Sequence, residues 1–169
     1  MRLLIVRHAI AEDKDVWAQT SQDDDARPLT DLGKRKMVRV ARGLRKIVGP
    51  INLLAASPLV RAQQTAAIVA AEYKGLPIET TSVLVPGKPL AEFAKWLVDR
   101  GDSELVAVVG HEPHLSALAT WLITGVEKSR IELKKGAACL IQFDGMPKKA
   151  GGSLSWSLAP AHLRDLARR

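Results

Sequence analysis

Apolar runs of strand length alternate with stretches of helical periodicity along almost all of the 169 residues, and this alternation limits the possible folds more than any other feature of the chain. The runs fall at Leu3 to Val6, Ile51 to Ala55, Ile78 to Thr80, Leu105 to Val109, Ala138 to Phe143 and Leu154 to Leu158. From Thr30, residues Met37, Val40, Ala41, Leu44, Ile47 and Val48 recur at the spacing of one helix face, and Gly49-Pro50 stops the pattern. Ser57 is placed to cap a second helix, with Pro58 at its first position and Leu59, Ala62, Ala66, Val69 and Tyr73 turned inward. A third helix covers Leu90 to Val98, and a fourth begins at Pro113. The alternation predicts an α/β fold, a three-layer α/β/α sandwich with a mostly parallel central sheet and right-handed crossovers. No helix separates the last two runs, so they read as a C-terminal hairpin at one side, with Gly145 to Gly152 as its loop. The length suits a single domain, 1–169, with a core on both faces of the sheet.

Open α/β sheets present functional side chains where the strands end. The first run ends in Arg7-His8, the second leads to Ser57 and Arg61, and the fourth to Gly110-His111. Two arginines and two histidines delivered together make a pocket for a tetrahedral dianion, of which phosphate is the natural case. Arg7 and Arg61 can each offer a planar fork of donors to phosphoryl oxygens. A neutral His8 held in one tautomer can attack phosphorus in line, and His111, beside a helix N-terminus, can donate to another oxygen. Arg27 is a further candidate for phosphate contact, set against a surface salt bridge. Ser57 could add a hydrogen bond to substrate, with capping its favoured role.

Other properties narrow the partners. A net charge of +7 attracts anions, but aromatics make up only 4% of residues and no zinc-finger spacing occurs, so nucleic acid is not expected. No window approaches the roughly 18 apolar residues of a membrane helix. The opening run is too short, and too soon followed by Glu12, Asp13 and Asp15, for a signal peptide. Cys139, the one cysteine, lies in an apolar strand and reads as core packing in a reducing, cytoplasmic setting. The zinc-protease pattern fails at His111-Glu112-Pro113-His114, whose histidines are three apart. There is no Gly-x-x-x-x-Gly-Lys loop and no dinucleotide fingerprint, and neither metal nor cofactor is expected. Arg35, Arg39, Arg42 and Lys46 share one side of the Thr30 helix, as a solvated face or a docking surface for an acidic protein. The segment from Ala11 to Pro28, with Asp23-Asp24-Asp25, is long for a compact domain and reads as a lid or as disorder.

Arg7-His8, Ser57-Pro58 with Arg61-Ala62 and Gln64-Thr65-Ala66, and Gly110-His111 resemble the histidine phosphatase superfamily over nearly the whole chain. Arg27-Pro28-Leu29-Thr30 followed by Gly33, and His111-Glu112-Pro113, look most like its small bacterial phosphohistidine phosphatases of the SixA type. The resemblance implies that His8 is the phosphorylated nucleophile, that Arg7, Arg61 and His111 complete the phosphate pocket, and that no metal takes part. The chain departs from the commoner pattern at Ala9, where many members carry glycine. It departs again after the third strand, where many ester-cleaving relatives place a carboxylate and this chain reads Val83 to Pro89 with none. Glu12 is the remaining general-acid candidate, with Glu92 on the next helix. A positioned acid accelerates departure of an alkoxide by about 10²–10⁴-fold, whereas the imidazole of phosphohistidine can be protonated on its own ring. The expected activity is therefore a phosphohistidine phosphatase acting on a phosphorylated protein, whether a phosphotransfer domain, a carrier protein of a sugar uptake system or an unrelated protein. The alternatives are a phosphatase or mutase acting on small phosphate esters, and a catalytically silent module that binds phosphoproteins.

Overall fold

The six apolar runs form one sheet: β1 (Arg2–Arg7), β2 (Leu53–Ala56), β3 (Ile78–Thr80), β4 (Leu105–Gly110), β5 (Ala138–Phe143) and β6 (Gly152–Leu158). The computed structural model describes residues 1–20 and 22–168. Strand order is β3-β2-β4-β1-β5-β6. β1 to β4 pair in parallel, while β5 joins β1 antiparallel and β6 joins β5 as a hairpin. Every residue of β4 is buried, as expected of a central parallel strand covered on both faces.

Five of the six helices complete the two outer layers, which makes the predicted three-layer architecture the observed one. On one face, α2 (Asp31–Ile47), α3 (Val60–Glu72) and α6 (Pro160–Leu166) pack on Leu4, Val6, Leu54, Ala107 and Val109. On the other, α4 (Leu90–Val98) and α5 (His114–Thr124) cover Leu3, Ile5, Val106 and Val108, with buried Cys139 in the same core. Alternate residues of β1 and β4 thus feed opposite cores. No described helix is long and apolar enough to cross a membrane.

Two glycines let α2 sit close to its neighbours. A Cβ at Gly33 would collide with the carbonyl of Ile10, and one at Gly43 with the carbonyl of Leu163 on α6. The Thr30 side chain caps α2 by accepting from the Gly33 N–H at 2.9 Å.

Two expectations are corrected. Ser57 does not cap the second helix: α3 begins at Val60, with Leu59 at the capping position and no side-chain cap. The Ser57 N–H instead donates to Val109 O at 3.0 Å, extending the β2–β4 ladder by one residue, so the chain is still extended there and turns only at Pro58-Leu59. The segment from Ala11 to Pro28 is mostly built structure, which corrects the reading of it as disorder and does not bear on the reading of it as a lid. It holds α1 (Lys14–Ala18), capped by Asp13, a 3₁₀ turn at Asp24–Ala26 capped by Asp23, and a bridge from Ala11 to Leu29; Ser21 lies outside the described residues.

Candidate active site

Register brings the predicted residues together. Arg7 pairs with Gly110 across β1 and β4, so His8 and His111 leave neighbouring parallel strands side by side. Their rings lie 5.1 Å apart, tilted by 51°. Ser57 joins them through its backbone bond to Val109, and Arg61 follows in the first turn of α3. His8, Ser57, Arg61 and His111 are all buried.

The tautomer of His8 follows from its partner. Nδ1 lies 2.7 Å from the carbonyl of Ala9, which can only accept, so Nδ1 carries the proton and Nε2 keeps its lone pair. Burial lowers the His8 pKa to about 4, against the Ala9 hydrogen bond and with help from Arg61, Arg7 and Lys135. Burial also lowers that of His111 to about 3, with His8 and Arg61 adding to the shift. Both rings are therefore neutral at physiological pH. Thr65 fixes the turn after the nucleophile: its Oγ1 accepts from Ala9 N–H at 3.0 Å and donates to Arg61 O at 2.7 Å.

His111 Nε2 lies 2.9 Å from Ser57 Oγ. Leu59 N–H points at the same oxygen from 3.4 Å; with the hydroxyl donating to His111 Nε2, the ring proton sits on Nδ1. That Nδ1 is buried and has no partner among the described residues. Arg7 Nε and Arg61 Nε are in the same condition. Buried donors without acceptors are costly, and an anion is the natural acceptor for such groups.

Each guanidinium is anchored at its outer edge. Arg7 Nη1 donates to Leu133 O at 2.6 Å. Arg61 Nη1 donates to Asp24 O at 2.7 Å, and its Nη2 pairs with Asp24 Oδ2 at 3.1 Å. Burial lowers the pKa of both arginines, more than their carboxylate neighbours raise it, yet guanidinium remains charged.

Arg27 is buried and donates from Nε to Asp24 Oδ1 at 2.8 Å and from Nη1 to Glu12 O at 2.7 Å. It braces the loop that holds Arg61. The Glu12 carboxylate makes no hydrogen bond to Arg7, His8, Arg61 or His111, and Glu92 is exposed on α4. His114 is buried, with Nε2 3.2 Å from Val83 O, and His162 is exposed on α6.

Asp24, Thr65 and the Leu133 carbonyl escaped the sequence reading. Asp24 had a usable signal, because a carboxylate three residues before Arg27 is within reach of it in a single turn. The Arg27 hydrogen bond, with Arg61 assisting, holds the Asp24 carboxyl below the usual carboxylate range, so it stays ionised. Among the described residues no three His, Cys, Asp or Glu side chains come together as metal ligands. A surface pocket of about 380 Å³ beside Val48, Pro50 and Tyr73 lies at the opposite end of β2 from Ser57.

Comparison with known proteins bears on this arrangement. A family model described as histidine phosphatase superfamily (branch 1) matches residues 3–85, which include Arg7, His8, Arg27, Ser57 and Arg61. An uncharacterised protein of Picosynechococcus is 35% identical over 138 residues, covering 80% of this chain and 81% of that one. The structure of the protein histidine phosphatase SixA complexed with tungstate superimposes with a TM-score of 0.80 at 24% identity, over 96% of this chain and 99% of that one. The α-ribazole phosphatase of Shigella flexneri superimposes with a TM-score of 0.73 at 17% identity, over 95% and 97%.

Proposed function

The chain belongs to the histidine phosphatase superfamily, and we propose that it removes phosphate from phosphohistidine on a protein, through a covalent intermediate on His8. The observation that carries this reading is the state of His8: a neutral, buried ring whose proton is committed to Ala9 O, leaving Nε2 to attack. Buried donors at Arg7 Nε, Arg61 Nε and His111 Nδ1 supply the charge stabilisation that phosphoryl transfer needs. The fold is shared with a SixA protein that holds tungstate, a tetrahedral dianion, which supports a phosphate site here.

In the first step the His8 Nε2 lone pair forms a bond to phosphorus. The bond from phosphorus to the substrate's imidazole nitrogen breaks, and its electron pair returns to that nitrogen. A substrate ring protonated at its other nitrogen leaves as neutral imidazole. In the second step water attacks the phosphorylated His8, its proton goes to phosphate, and the pair returns to Nε2. The retained Nδ1–H makes phosphorylated His8 a cationic ring and hence a good leaving group.

We read the substrate class from the carboxylate beside Arg61, since departure of an alkoxide gains from a positioned acid. Asp24 is the carboxylate bonded to Arg61, and Arg27 and Arg61 keep it ionised, which suits it poorly to protonate an alkoxide. Phosphohistidine needs no such donor. The partner is then a phosphorylated phosphotransfer domain or carrier protein, and buried Cys139 is compatible with the cytoplasm.

The test is release of phosphate, with a chelator present, from a phosphohistidine protein and from an unactivated sugar phosphate, by wild type and His8→Ala. Selective release from phosphohistidine, lost in the variant, is expected. Preference for the sugar phosphate would assign the protein to the ester phosphatases, and no release from either would leave a binding module.

A further inference from the structure

Beside the nucleophile lies a second pocket, of about 200 Å³. Its walls include Ala9, which follows His8, and Gly136, whose N–H lies 3.1 Å from His8 O and 3.2 Å from Arg7 O. Met37, Val40 and Pro160 give it apolar surface. Three cations line it from three parts of the fold: Lys36 on α2, Lys135 in the segment before β5, and Arg164 on α6. No acidic side chain lines it, and among the described residues none of the three cations pairs with a carboxylate.

A row of lysines along one exposed helix face is an ordinary solvated surface. Three like charges brought around one cavity by separate elements repel each other, and two of them, Lys36 and Arg164, are partly buried. Their placement is explained by an anion that they hold together.

We propose that this groove binds an acidic segment of the phosphorylated protein, seating glutamate or aspartate side chains next to the phosphohistidine while His8 attacks. The proposal rests on the phosphohistidine reading above. Charge complementarity decides the sign of the partner, and the apolar wall accommodates the chain that carries the carboxylates. Because Gly136 ties the groove wall to the backbone of Arg7 and His8, a segment seated there is held in register with the phosphate pocket. Binding energy from this remote part of the substrate then helps to place phosphorus against Nε2.

The test uses two peptides with a hydrolysis-resistant phosphohistidine analogue, one flanked by glutamates and one by glutamines, titrated against wild type and K36Q/R164Q. Wild type should bind the glutamate peptide about tenfold more tightly, a preference that the double variant loses while its turnover of free phosphohistidine is unchanged. K36E/R164E, which leaves Lys135 facing two carboxylates, should invert the preference toward a lysine-flanked peptide, which guards against loss by misfolding. Equal binding of the two peptides by wild type overturns the proposal, as does a double variant that weakens both alike. Inhibition by pyrophosphate that depends on Lys36 and Arg164, with no peptide preference, would assign the groove to a second phosphate of a small substrate and also overturn it. If wild type fails to release phosphate from a phosphohistidine protein, the functional reading falls, and the peptide preference still decides the groove.

Discussion

Thr65 shows how much of the chemistry rests on a residue that never meets the substrate. Its hydroxyl joins the turn after His8 to the first turn of α3, which carries Arg61. Thr65→Val keeps the shape and strips the buried Ala9 N–H of its acceptor, a loss of about 1–3 kcal/mol in folding stability. The variant should melt lower and turn over more slowly, and unchanged melting with unchanged turnover would remove Thr65 from the account. Asp24→Asn is expected to act in the other direction on phosphate affinity. It withdraws a negative charge that competes for Arg61, so inorganic phosphate should inhibit several-fold more strongly. Weaker inhibition would show instead that Asp24 serves mainly to hold Arg61 in place.

The two histidines also set a pH dependence. Both have pKa values below the ordinary histidine value of about 6.5, so the unfolded chain takes up protons that the folded chain refuses. The contribution of the neutral rings is full above about pH 6.5. It drains away as pH falls toward about 4 for His8 and about 3 for His111. The melting temperature should therefore drop between pH 7 and pH 5; a flat profile would contradict the neutral assignment.

At the scale of elements, α2 decides how close the loop after β1 can come to the rest of the site. Gly33→Ala drives a methyl into Ile10 O, two residues past the nucleophile, and Gly43→Ala drives one into Leu163 O on α6. Overpacking of this kind costs about 1–3 kcal/mol, so both variants should lose stability. Only Gly33→Ala should also lose turnover beyond what its stability explains, and equal losses in the two would deny that α2 positions the loop.

The same elements show what was legible in the sequence. The strand runs and the face of α2 were readable because burial on one or both sides writes a period into the residues. The strand ends carried Arg7, His8 and His111 for the same reason. Ser57 was misread because a serine before proline looks the same whether it ends a strand or starts a helix. The difference lies in its hydrogen bond to Val109, a residue 52 positions away in sequence. α1 and the 3₁₀ turn before Arg27 are too short to show a period, and although the spacing of Asp24 to Arg27 was readable, its pairing with Arg61 is a contact no local pattern encodes.

Across the whole molecule, the excess of seven positive charges is not evenly engaged. On α2, Arg42 pairs with Glu72 and Arg45 donates to the Glu72 carbonyl, so the side away from the nucleophile is partly neutralised within the fold. Lys36, Lys135 and Arg164, beside the nucleophile, are left for an outside anion. Activity on a phosphoprotein should therefore fall by roughly tenfold between about 0.05 and 0.5 M salt, while activity on a small phosphoramidate changes little. Equal salt dependence for the two substrates would show that no charged surface takes part in docking.

The account stands on covalent chemistry at one ring nitrogen. Brief exposure to a phosphoramidate, alkaline quench and mass spectrometry should find phosphate on His8, stable to base and lost in acid, with ³¹P NMR placing it on Nε2. Sustained turnover with no label on His8, or with the label on His111, would contradict the account at its centre.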